Sequence, residues 1–382
     1  MKALYVALHN PTVLDLASGV DYFHYQAMLQ DGFEVKWIAP NPKSHLWIEE
    51  MTARAFQRTG KRFVKYPMST VWRASQVVNE FAREWKPDVI LTMNMASMVF
   101  YHGDVPAVLS RDTTFYGQQQ FWPVYGRLAM AINMWQEKLA FRNSARVLTN
   151  SQWSKKVILA TYGASPSKVD TFVLPSALPV RVIPERVDVI RWKKLESPFR
   201  LLLVGRDTKP PRKGINIAIE VVHKLNIAGL PAELTICGTQ GESDQYIKYV
   251  GPFTKSNPEQ LDKYVDLYRW AHLLIHPAIF EAAGIVPSEA AAFGTPTITN
   301  DSGGLATTVA DGESGIVLPT WSKPQVYVKA VMDLVKYPET YYALCRKTRE
   351  RYERELNWSC TGAWMADVLR KTVQDSRIKR NG

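Results

Sequence analysis

The stretch His276-Pro-Ala-Ile-Phe-Glu281-Ala-Ala-Gly284-Ile-Val-Pro287-Ser-Glu289-Ala-Ala-Ala-Phe-Gly-Thr-Pro-Thr-Ile-Thr-Asn-Asp-Ser-Gly-Gly304 decides how this chain is read. A strand ends near Pro277, and a loop carrying Glu281 and Gly284 follows it. Pro287 suits a first helical position, and Ser288-Glu289-Ala290-Ala291-Ala292 has strong helix propensity. A helix N-terminus facing a loop offers free N–H groups to phosphate oxygens. Gly284 lets backbone approach a ligand closely. Carboxylates accept hydrogen bonds from hydroxyl-rich ligands. Taken singly, Glu281 reads equally as a loop charge and Glu289 as an acid favoured by the helix dipole.

Strands and helices alternate on both sides of this stretch. Residues 3–8, 34–38, 88–92, 107–110 and 146–150 are short apolar runs of strand length, with helical patterns between them. One such helix follows Gly19 through Tyr22, Tyr25, Met28 and Leu29, and Gly32 is placed to end it. Prolines 175, 179, 184 and 198 break the rhythm and mark an interdomain crossing. A second series begins at Phe199–Val204 and continues through a helix near 215–228 and strands near 232–238, 273–277 and 295–299. Two doubly wound α/β domains follow, and sheets of this kind bind ligands at the carboxyl ends of their strands. The expected division is 1–178, a linker at 179–198, 199–355, and a C-terminal helix over 356–382 that returns toward the first domain.

The 382 residues suit two domains, and the 46% hydrophobic content is enough for two cores. The net charge of +11 is spread over both halves and favours anionic partners such as nucleotides, phospholipid surfaces or nucleic acid. A solvated basic surface is the plain alternative. No nucleic-acid module is recognisable, so no specific nucleic-acid partner is expected. Cys237, Cys345 and Cys360 are too few and too widely spaced for a disulfide framework or a zinc site, and they fit a reducing compartment. The opening residues are too interrupted for a secretory segment, and no apolar run approaches the ~20 residues of a membrane span. The expected location is cytoplasmic, at most peripheral at the cytoplasmic membrane face.

The segment 281–315 resembles glycosyltransferase family 4, the retaining group with the GT-B fold: two Rossmann-like domains facing across a cleft. The family's Glu, seven residues, Glu pattern stands here as Glu281 to Glu289. The Gly294-Thr295-Pro296 run, the Gly303-Gly304 pair and Asp311-Gly312-Glu313-Ser314-Gly315 match in order and spacing. Ala282-Ala283 replaces the usual Gly-Phe on the sugar side. The resemblance implies that Glu281 touches the donor sugar's hydroxyls. It also implies that Gly284, Ile285 and Val286 offer backbone to the sugar and diphosphate, and that Glu289 binds the ribose. Arg206, after Val204-Gly205, and Lys213 would face the diphosphate, where fixed cations stabilise a leaving group's charge without a metal or other cofactor. Lys209 or Arg212 could take over one of these roles. Phe253 falls where the family contacts the base, and a core aromatic is the alternative.

In the first half, Ser18-Gly19-Val20 resembles the family's Gly-rich loop facing the diphosphate. Leu109-Ser110-Arg111-Asp112 ends a strand where relatives often place His beside Asp. Arg111 replaces the His, leaving Asp112 to contact the donor sugar or orient the acceptor. From Arg54 to Arg73 there are six basic residues and no acidic one, interleaved with aromatics and Met. That segment reads either as a contact with an anionic membrane carrying a lipid-linked acceptor or as a solvated helix face. The implied activity is retaining transfer of a sugar from a nucleoside-diphosphate donor to an acceptor hydroxyl on a glycan or lipid-linked acceptor. A nucleotide-sugar-binding protein with a decayed site is the alternative.

Overall fold

The structure is a computed structural model that describes residues 1–40, 46–58, 61–206 and 212–381. It divides into two compact units, Met1–Phe172 with Thr361–Gly382, and Val173–Cys360. The sequence placed the corresponding boundaries at 178/179 and 355/356.

The first unit holds a six-stranded parallel sheet built from β1 (Lys2–Val6), β2 (Glu34–Ile38), β3 (Val89–Thr92), β4 (Ala107–Ser110), β5 (Arg146–Thr149) and β6 (Val169–Thr171). Its order is β2-β1-β3-β4-β5-β6. In β1 the residues Ala3, Leu4, Tyr5 and Val6 are fully enclosed, as are Val89, Ile90 and Leu91 in β3. Strands covered on both faces need continuous apolar sequence, and these have it. Helices Val20–Gln30, Met68–Trp85, Arg127–Asn143 and Gln152–Tyr162 connect the strands.

The C-terminal helix Trp358–Asn381 supplies the rest of this unit from Thr361 onward. Trp364 packs on Phe172 with ring centroids 5.5 Å apart. Arg377 pairs with Asp88 at 3.2 Å, and Asp375 pairs with Arg146 at 2.9 Å.

The second unit repeats the plan with β7 (Phe199–Val204), β8 (Ala232–Cys237), β9 (Ile247–Val250), β10 (Leu273–His276), β11 (Thr297–Asn300) and β12 (Gly315–Leu318). All pairings are parallel, in the order β12-β11-β10-β7-β8-β9. The chain leaves β7 in one direction through β8 and β9, then returns to its other side with β10. The β7/β10 boundary is therefore the topological switch point, where open α/β sheets bind ligands.

The proline-rich segment expected to cross between domains is part of the second unit. Val182 and Val189 are buried there. The buried Lys193 ammonium donates to the carbonyls of Tyr268 and Ala271, both at 2.8 Å, and to Thr295 Oγ1 at 2.7 Å. A lysine enclosed among carbonyl oxygens ties this segment to the end of helix Pro258–Trp270, so proline content marked irregular backbone rather than a free linker.

Candidate active site

Three backbone segments meet at the carboxyl ends of β7 and β10. Ile279 N–H donates to the Arg212 carbonyl at 2.8 Å, and Gly304 N–H donates to the Glu281 carbonyl at 2.8 Å. Gly214 has φ +69°, and a Cβ there would fall on the Pro277 carbonyl. Gly303, φ +68°, would drive a Cβ into the Glu281 carbonyl. These two positions require glycine for both reasons.

Against this frame, Lys213 Nζ donates to Glu281 Oε2 at 2.5 Å, with the two side chains 17% and 24% exposed. The stem of Lys213 lies over Gly205, where a Cβ would come within 2.9 Å of its Cγ. Burial pushes the Glu281 carboxyl up, but the Lys213 charge and hydrogen bond outweigh it and hold it below the usual range. Lys213 and Glu281, 68 residues apart in the sequence, thus form one ion-paired unit. Arg206 is exposed at the end of β7. Lys209 lies outside the described residues.

His276 ends β10 and is 1% exposed, and among the described residues neither of its ring nitrogens is hydrogen-bonded. Burial and the Lys213 charge lower its pKa to about 3, so the ring is neutral.

Gly284, φ +83°, precedes helix Ile285–Ala292, and Leu305 Cδ2 would lie 3.0 Å from a Cβ there. Ile285 is half-buried and Val286 is buried at the start of that helix. The Ala283 carbonyl accepts from Thr308 Oγ1 at 2.5 Å, which fixes the Ala282-Ala283 turn.

Glu289 differs from its expected setting. Its side chain is fully enclosed, and it accepts from Lys255 Nζ at 2.5 Å, Tyr264 OH at 2.7 Å and Tyr268 OH at 2.9 Å. A carboxylate has about four acceptor sites, and three are occupied by the protein's own groups. Lys255, Tyr264 and Tyr268 were not singled out in the sequence. Only the i, i+4 spacing of the two tyrosines on one helix face was visible there. Phe253 packs on Tyr264, ring centroids 6.4 Å apart, and so borders the Glu289 cluster.

In the first unit, Gly19 caps helix Val20–Gln30 with φ +86°, after Ala17 and Ser18 at +47° and +59°. The Val20 N–H closes this left-handed turn on the Ala17 carbonyl. Asp112 is exposed at the end of β4, its Oδ1 accepting from Thr113 N–H at 2.7 Å. Arg111, read as standing for a histidine, has a structural partner instead: its Nη2 donates to the buried Glu137 Oε1 at 2.9 Å. Among the described residues no three His, Cys, Asp or Glu side chains gather in one place. No helix among them is long and apolar enough to cross a membrane. The three cysteines are unpaired.

Residues 188–351 match the family described as glycosyl transferases group 1, and residues 24–172 match glycosyltransferase family 4. The chain belongs to these glycosyltransferases. Among relatives, this glycosyltransferase is 25% identical to the glycogen synthase of Mycobacterium tuberculosis over 386 residues, covering 96% of this chain and 87% of that one. Its fold matches sucrose-phosphate synthase from Thermosynechococcus elongatus with TM-score 0.69 at 18% identity, covering 97% and 98% of the two chains. It also matches Anabaena HepE, solved in complex with UDP-glucose, with TM-score 0.63 at 15% identity over 97% and 100%. The two parallel sheets of this glycosyltransferase are those of the GT-B fold.

Proposed function

We propose that this glycosyltransferase moves a sugar from a nucleoside-diphosphate sugar to an acceptor hydroxyl of a glycan or lipid-linked acceptor, with retention and without a metal. The observation that carries this reading is the Lys213–Glu281 pair at the β7/β10 switch point. Lys213, with Arg206, offers fixed positive charge to a leaving diphosphate. Glu281 offers oxygens to sugar hydroxyls, and the Gly284 turn brings backbone N–H groups to the same place. Glu289, enclosed by Lys255, Tyr264 and Tyr268, would meet a ribose only once Lys255 moves aside. HepE was solved with UDP-glucose, which makes UDP-sugars the first donors to try.

In this reading the donor phosphate takes the acceptor proton on the face from which the diphosphate leaves. The side chains then have two tasks: to hold the sugar and to stabilise the departing charge. A glycosidase-like pair of carboxylates is not required.

The test is a melting screen with UDP-, GDP- and ADP-sugars in the presence of EDTA, followed by NMR of the product's anomeric configuration. One nucleotide class should raise Tm, because a ligand of the folded state adds about 2.7 kcal/mol at 100 Kd. Turnover should persist with EDTA. No shift with any nucleotide sugar would overturn the reading, and binding without turnover on every acceptor would mark a decayed site.

The membrane surface proposed for residues 54–73 has a more specific apolar contributor next to it. Helix Trp47–Arg58 leaves Trp47, Ile48 and Met51 more than half exposed, and Trp72 is exposed on the following helix. Exposed aromatics beside Arg54, Arg58 and Arg73 suit an anionic bilayer. Trp47→Ser/Ile48→Ser should weaken flotation with phosphatidylglycerol vesicles at least about tenfold, since burying each side chain contributes about 1.5–3 kcal/mol. Unchanged flotation would exclude this surface.

A further inference from the structure

Beyond β4, three cations surround one aromatic cluster with two acids nearby, Asp112 and Glu137. The Arg111 guanidinium lies 5.3 Å from the Phe115 ring centroid, and Phe115 packs on Tyr66 and Tyr125 at 6.5 and 5.7 Å. The Lys65 ammonium lies 6.0 Å from the Tyr66 ring, and Arg62 forms a β-bridge with Tyr125. Arg62 and Lys65 are exposed, and Arg111 is mostly enclosed. The Lys65 ammonium is lowered from its usual pKa by partial burial and by the Arg111 and Arg62 charges, with Asp112 acting in the opposite sense. The Tyr125 hydroxyl also feels both guanidiniums, and Tyr66 feels Arg111 and Asp112. Of the two acids, Glu137 is taken by Arg111, the Phe115 N–H and the Tyr162 hydroxyl. Asp112 is engaged by its neighbour's N–H.

A solvated basic face would let these side chains spread. Here their backbone is fixed from beneath. Asn133 and Gln136, both fully buried on helix Arg127–Asn143, hold Lys65 N–H at 3.0 Å and the Tyr66 carbonyl at 2.9 Å. Arg62 N–H donates to the Val124 carbonyl at 2.8 Å, and its guanidinium sits 5.5 Å from the Trp122 ring centroid. Among the described residues, Arg111 Nε and Asn133 Nδ2 are buried without an acceptor. Like charges held together, beside unsatisfied donors, are costly unless an anion completes them.

We propose that this end of the first sheet receives an anionic substituent of the acceptor sugar, a phosphate or a carboxylate, through Arg62, Lys65 and Arg111 with the Tyr66 and Tyr125 hydroxyls. The assignment to the acceptor rests on the glycosyltransferase reading above, since ligands of such sheets lie at their carboxyl ends and the donor is assigned to the other unit. Arginine pairs with either anion through two parallel N–H bonds.

The test is calorimetry on the full chain with UDP saturating, titrating glucose 6-phosphate, glucuronate and neutral glucose. At least one anionic sugar should bind about tenfold or more tighter than glucose, as charge-assisted bonds are about twice as strong as neutral ones. Which anion wins identifies the substituent. Arg62→Gln/Lys65→Gln should erase the preference, while Arg83→Gln/Lys138→Gln, which removes the same charge elsewhere, should keep it. These variants spare Arg111, whose loss would disturb the core. Absence of any anionic preference overturns the proposal, as does a preference untouched by the first double variant or equally lost in the second. UDP binding is read in the same experiment: its failure would count against the donor site, and the anionic comparison would still be made without it.

Discussion

Lys213→Met should lower kcat/KM for the sugar nucleotide by about two to three orders of magnitude, roughly 2.7–4 kcal/mol of transition-state stabilisation. The loss should fall mainly on kcat, because the leaving diphosphate carries more charge in the transition state than in the bound donor. The same change acts on Glu281. The carboxyl is held below its usual pKa by Lys213 against the upward push of burial. Without the lysine its pKa rises, so the ionised form is lost at a higher pH as pH falls. The acid limb of the pH–rate profile should therefore move to higher pH in the variant. Lys213→Arg should restore part of kcat and return that limb toward its original position. A Lys213→Met enzyme with wild-type kcat would remove this pair from the chemistry.

Glu137→Ala should destabilise the first unit by about 3–5 kcal/mol, the cost of leaving one partner of a buried ion pair uncompensated. Glu137 is fully enclosed, and its carboxylate holds together parts far apart in sequence: Arg111 after β4, the Phe115 N–H and the Tyr162 hydroxyl. Burial raises the Glu137 pKa while Arg111 pulls against it, so the pair survives because both halves are present. For a unit of this size the expected drop in its melting transition is of order 10 °C, measured by calorimetry. The double variant Arg111→Met/Glu137→Met should recover most of that loss, since replacing both charges with apolar groups of similar volume is often neutral. If the single and double variants melt alike, the contact contributes packing rather than charge pairing.

The central strands were legible because a parallel strand covered on both faces must be continuously apolar, and Phe199–Val204 or Ala107–Ser110 are. Two outer strands were not read. β6 is Val-Asp-Thr and β9 is Ile-Lys-Tyr-Val, each at a sheet edge and covered on fewer sides. Their polar residues leave no run to recognise. Glu281 and Glu289 stood out because resemblance fixed their order. Their partners did not, since Lys255 with Glu289 and Arg111 with Glu137 meet through the fold at separations that carry no periodicity. The prolines before Pro198 marked irregular backbone correctly, but irregular backbone anchored by Lys193 looks the same in sequence as a loose crossing.

Helix Trp358–Asn381 belongs, from Thr361 onward, to the unit that the first 172 residues begin. During synthesis, domains tend to fold in the order they emerge. Here the first sheet is made early but waits for its covering helix until the whole second unit has been translated. Trp364 against Phe172 and Asp375 against Arg146 are thus among the last contacts to become available. A nascent chain stalled before Thr361 would hold a complete second unit and an incomplete first one, with apolar surface around Phe172 still open to chaperones.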